Sequence, residues 1–122
     1  MVDDISQMTA PELERILIKY AQVAEAKGLI WADAKAVCES LEDKKKVVVA
    51  HAAGDAPLDS TEAKRERFAH ASIQYADFLE GLEVARRQSN RAWVEYSSAR
   101  DKFEAVRSVL SNRREEMKRG IT

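Results

Sequence analysis

The chain has 122 residues, 34 % of them charged, with 20 basic side chains against 21 acidic ones. That length gives room for one domain, and a net charge of −1 argues against a general nucleic-acid coat or a protein held to a membrane surface by charge. Four Gly and two Pro leave few turns, so the elements must be few and long, as in coiled-coil and long-helix proteins. The single cysteine, Cys38, rules out an internal disulfide. The opening MVDDISQMTAPE is acidic and has no long apolar core of the signal-peptide kind. No apolar run approaches the ~20 residues of a membrane span. A soluble protein of the cytoplasm, with no membrane partner, is expected.

Residues 1–8 read as a loose leader. At Thr9-Ala10-Pro11-Glu12 a helix begins: Thr9 can cap, Glu12 closes a capping box three residues on, and Pro11 is tolerated in the first turn. A first helix over 9–53 then carries a seam at alternating steps of three and four: Leu13, Ile16, Tyr20, Val23, Lys27, Ile30, Ala34, Val37, Leu41, Lys44, Val48 and His51. Gly28 is its weak point, since a mid-helix Gly costs roughly 1 kcal/mol relative to Ala. A continuous helix, bent there, is expected rather than a break.

Residues 54–60 hold the Gly–Pro cluster and form the turn, with Ser60 or Asp59 placed to cap the next helix. A second helix is predicted over 61–119, closed by Gly120 after Lys118 and Arg119. Its seam runs from Phe68 to Met117 through Ala71, Tyr75, Phe78, Leu82, Ala85, Ser89, Ala92, Tyr96, Ala99, Phe103, Val106, Leu110 and Arg113. Large residues fill one heptad position and alanines dominate the other, which suits close antiparallel packing.

Two long helices joined by a short turn fold back as an antiparallel hairpin, so the fold class is all-α. At 1.5 Å per residue the arms are ~65 Å and ~85 Å long. Pivoting about the turn sets Leu13 beside the neighbourhood of Arg100. Phe103, Val106, Leu110 and Met117 would then project beyond the partner arm unless residues 1–8 cover them, and an uncovered apolar stripe tends to find another chain. Flanking the two seams are Leu17, Ala24, Trp31 and Cys38 on one arm, and Leu79, Arg86, Trp93, Arg100, Arg107 and Arg114 on the other. That side carries more apolar surface than two helices bury. Self-association into a four-helix dimer through Leu17, Trp31, Leu79, Trp93, Phe103, Val106 and Leu110 is expected. The alternative is a wide contact within the chain, with arginine stems lying over it.

Charge is unevenly spread. Residues 1–43 hold nine acids and four bases (−5), 44–84 seven and six (−1), and 85–122 five and ten (+5). Pairing of the acidic and basic arms is the simplest use of that asymmetry. A row of Arg86, Arg100, Arg107 and Arg114 with Trp93 in register also has the makings of a nucleic-acid contact, phosphates on the arginines and a base on the ring. Interleaved Glu95, Asp101, Glu104, Glu115 and Glu116 weigh against it.

Catalytic chemistry finds little support. His51 and His70 flank the turn near Asp55 and Asp59, but no His-x-x-x-His or Glu-x-x-His pair exists to build a metal site. Cys38 reads as a small hydrophobe with no histidine beside it. The four glycines are isolated, so no phosphate-binding loop is formed. No enzyme and no cofactor are expected.

One resemblance covers most of the chain. His51-Ala-Ala-Gly, the restart Ser60-Thr-Glu-Ala-Lys-Arg-Glu and the closing Ala99-Arg-Asp-Lys-Phe-Glu-Ala-Val-Arg-Ser-Val-Leu-Ser-Asn-Arg resemble small helical-hairpin proteins of tailed bacteriophages and prophages. Proteins of that kind are often encoded among early genes beside recombination functions. The resemblance implies a non-enzymatic accessory or adaptor that acts on a phage or host protein, and it implies no catalytic residues. Inhibition of a host nuclease or defence complex fits the same features.

Overall fold

The computed structural model describes residues 4–120. Among these there is no strand: a 3-10 turn at Ile5–Gln7 precedes α1 (Ala10–Ala53), α2 (Glu62–His70) and α3 (Ile73–Lys118). Helices α1 and α3 pack on each other as the arms of a hairpin. The described residues fall into two compact units, one made of those up to Trp31 with those from Ala92 on, the other of Ala32–Arg91.

In the first unit α1 starts as its sequence dictates. Thr9 Oγ1 accepts from the Glu12 amide at 3.4 Å, and Glu12 Oε2 accepts from the Thr9 amide at 3.1 Å. One turn later Leu13 meets Val106 and Leu110, and all three are buried. Ile5, Met8, Ile16, Leu17, Tyr20 and Val109 pack around them. Burying such side chains stabilises the fold by ~1.5–3 kcal/mol each. The expected loose leader is corrected here. Asp4 caps the 3-10 turn through the Ser6 amide, and the Arg113 guanidinium donates to the Ser6 and Met8 carbonyls. Residues 1–3 lie outside the described residues.

In the second unit α1 ends at Ala53, where the sequence places it, and Gly54–Ser60 lead to α2. The cap is Thr61 rather than Ser60 or Asp59, its hydroxyl accepting from the Lys64 amide at 3.3 Å. Ala52, Ala56 and Ala69 are buried, and so are Leu82 and Ala85 of α3. Arg65 closes the connection. Its guanidinium donates to the carbonyls of Ala53 (3.5 Å), Leu58 (3.2 Å) and Ser60 (3.4 Å), so one cation ties the end of α1 to the turn, sharing the Ala53 oxygen with the Ala56 amide. Replacing Arg65 by Ala should lower stability by about 1–2 kcal/mol, with Lys recovering little because it lacks the planar fork. Thermal unfolding checks this, and faster amide exchange confined to 54–61 locates it.

The predicted second helix is not continuous. Ser72 ends α2 and begins α3: its hydroxyl donates to the Ala69 carbonyl at 2.6 Å and accepts from the Tyr75 amide at 3.1 Å. Serine prefers such a cap to a helix interior. Phe68 and Ala71, the first two steps of the expected seam, are consequently exposed. The arms become nearly equal, 44 residues in α1 and 46 in α3. With α2 taken into the connection, Leu13 meets Val106 and Leu110 rather than the neighbourhood of Arg100, and those two side chains do not project.

The α1 seam also differs from expectation. Leu13, Tyr20, Lys27, Ala34, Leu41 and Val48 lie inward as predicted, but the alternate positions are Leu17, Ala24, Trp31, Cys38, Lys45 and Ala52. Val23, Ile30, Val37, Lys44 and His51 face outward. The physical reason sits at Gly28, through which α1 runs unbroken. A Cβ there would lie 3.1 Å from Tyr96 Cε1, so the ring sits against the glycine more closely than a side chain there would comfortably allow. Turning Gly28 toward Tyr96 brings Trp31 in and carries Ile30 out.

Candidate interaction surfaces

The tryptophans expected on a self-association flank meet each other within the first unit. Trp31 stacks on Tyr96 with centroids 5.7 Å apart and planes 8° from parallel, and its centroid is 4.8 Å from that of Trp93. The Arg100 guanidinium lies over both Trp93 (5.7 Å) and Tyr96 (5.5 Å). Aromatic pairs and a cation over a ring each add of order 1 kcal/mol to the burial they accompany. This is the wide intramolecular contact, arginine stem included. Of the other residues expected to self-associate, Leu17 on that flank and Phe103 on the α3 seam are half-buried, and Val106 and Leu110 of the seam's expected projecting end are buried within the chain. In the second unit Leu79 is exposed.

The arginine row is engaged inside the chain as well. Arg86 pairs with Glu42, Arg107 with Glu104 at 3.1 Å, and Arg114 with Glu14 at 3.8 Å. All are substantially solvated, so each contributes no more than about 1 kcal/mol. Acidic α1 and basic α3 thus use part of their charge asymmetry on one another.

Among the apolar side chains that remain outward, with Ile18, Leu29 and Val47 of the same helix, is the line that hydropathy spacing predicts to be inward. Val23 is 40 % exposed, Ile30 53 % and Val37 54 %, seven residues apart on the single helix α1. Beside this line the first unit holds an open groove of about 380 Å³, lined by Tyr20, Val23, Lys27, Val94, Glu95, Ser98, Ala99 and Lys102. The Lys27–Glu95 pair crosses it at 3.4 Å, and Val94 on its α3 side is 64 % exposed. A helix that serves only a two-helix seam needs apolar residues at two heptad positions. Here a third is apolar as well, from Ile16 to Val37.

Elsewhere the polar side chains are ordinary surface groups. His51 and His70 are exposed, the latter set edge-on to Tyr75 at 4.9 Å, and Cys38 is half-buried. Among the described residues no three His, Cys, Asp or Glu side chains are grouped to hold a metal ion, and no helix is long and apolar enough to cross a membrane. The chain matches no protein-family model, no curated protein and no solved structure.

Proposed function

We propose that this chain is a non-enzymatic interaction protein, an accessory or adaptor that works by docking on a protein of a phage or its host. The observation that carries the reading is the outward apolar line of α1, where Val23 and Ile30 keep about half their surface in water although the hairpin seam beside them is complete. Apolar side chains so placed on a regular helix gain stability only when another surface covers them. The resemblance to phage helical-hairpin proteins supplies the setting, early DNA metabolism or recombination. Direct nucleic-acid binding is the weaker reading, because Arg86, Arg107 and Arg114 are paired with carboxylates and Arg100 caps an aromatic cluster. Affinity capture from host lysate should retain a defined protein on the wild-type chain and lose it on a Val23→Glu, Ile30→Glu variant of unchanged helicity. Retention by both would remove α1's outer line from the reading.

A further inference from the structure

The groups around that outward line are arranged with a symmetry of their own. On α1 the positions Lys19, Val23, Ala26, Ile30 and Asp33 succeed one another at steps of four and three, so they share one face of the helix. Lys19, Ala26 and Asp33 are exposed, and Val23 and Ile30 keep the exposure given above. The smallest residue, Ala26, stands at the centre, with a branched apolar residue on either side. Seven residues before it is a cation and seven residues after it an anion. Neither has an ion-pair partner within 4.0 Å among the described residues.

Such a face is complementary to itself in one orientation. When two α1 helices cross antiparallel about a two-fold axis at Ala26, residues equally far from it on opposite sides come level. Lys19 of each copy then meets Asp33 of the other, twice over. Val23 and Ile30 cover the corresponding side chains of the second copy, and the two alanines let the backbones approach. A parallel pairing would set lysine against lysine.

We infer that this chain forms a two-fold dimer through the outer face of α1, with a second copy of itself as the occupant. The inference rests on the interaction reading above and names one partner for the same face. Trp93, by contrast, is engaged with Trp31, Tyr96 and Arg100 of its own chain.

Charge exchange tests it on the full chain. Light scattering at concentrations from about 1 to several hundred micromolar, the span over which a modest interface associates, should show the wild type passing from 13.7 kDa to twice that mass. Lys19→Asp alone and Asp33→Lys alone should each weaken the dimer at least tenfold, with circular dichroism unchanged, because both sites are solvent-facing. The double variant should restore it. A mixture of the two single variants should also dimerise, since each supplies the charge that the other has lost. A wild type that stays at 13.7 kDa throughout would overturn the dimer while leaving lysate capture of another protein to decide the interaction reading. A wild-type dimer indifferent to the single exchanges would assign the contact to another face and equally overturn the inference.

Discussion

Replacing Leu13 by Ala should cost about 3 kcal/mol of folding stability, in the range of roughly 2–5 kcal/mol found when a buried leucine loses its isobutyl group and leaves a hole. Leu13 is the point at which three parts of the chain meet: the start of α1, the last turns of α3 carrying Val106 and Leu110, and the 3-10 turn carrying Ile5 and Met8. The seam there is narrow, so few neighbours can move in to fill the space. Urea unfolding followed by circular dichroism gives the number directly. A loss below about 1 kcal/mol would mean that the site collapses freely and that this cluster does not hold the first unit together.

Gly28→Val should be the second large effect, destabilising by about 2 kcal/mol through overpacking. The branched side chain would enter the space of the Tyr96 ring, whose Cε1 and Cδ1 lie 3.1 and 3.3 Å from where a Cβ would stand. Tyr96 cannot withdraw easily, since Trp31 stacks on it and Arg100 covers it. The companion measurement is the same substitution in a Tyr96→Ala background. There the valine meets open space and most of the cost should disappear, a coupling of at least about 1 kcal/mol between the two positions. Equal costs in both backgrounds would show that the glycine serves the helix backbone and not the ring.

How far the fold can be read from the residues depends on the kind of decision involved. The α3 seam from Tyr75 to Leu110 stands in plain view, because its alternation of large residues with alanines has no competing face. The Thr9–Glu12 capping box and the connection after Ala53 are legible too, each fixed by short-range chemistry. The face of α1 is not. Ile16, Val23, Ile30 and Val37 are as apolar as Leu17, Ala24, Trp31 and Cys38, so hydropathy cannot choose, and the choice falls to the fit of one ring against one glycine. The break at Ser72 is equally hidden. A serine inside a helix-prone run satisfies either its own helix or a neighbouring backbone group, and only the packed structure decides which. That break in turn moves the pairing of the arms.

The candidate surface is legible to the same degree. The residues expected to self-associate are apolar and sit where packing was anticipated, but Val106 and Leu110 pack within the chain. The outward line is invisible to spacing alone, because an inward line would have the same spacing. Lys19 and Asp33 carry no signal by themselves; they gain meaning only when the helix is seen to turn that face away from its own hairpin.

The glycine under the tyrosine ring has one more consequence. A heptad seam repeats, so nothing in the repeat itself stops one arm from sliding seven residues along the other. A slide in either direction would put Ala21 or Lys35 where Gly28 now stands, and both carry a Cβ that the ring would have to move to admit. A single missing side chain therefore favours the present register of a periodic interface over the two that neighbour it.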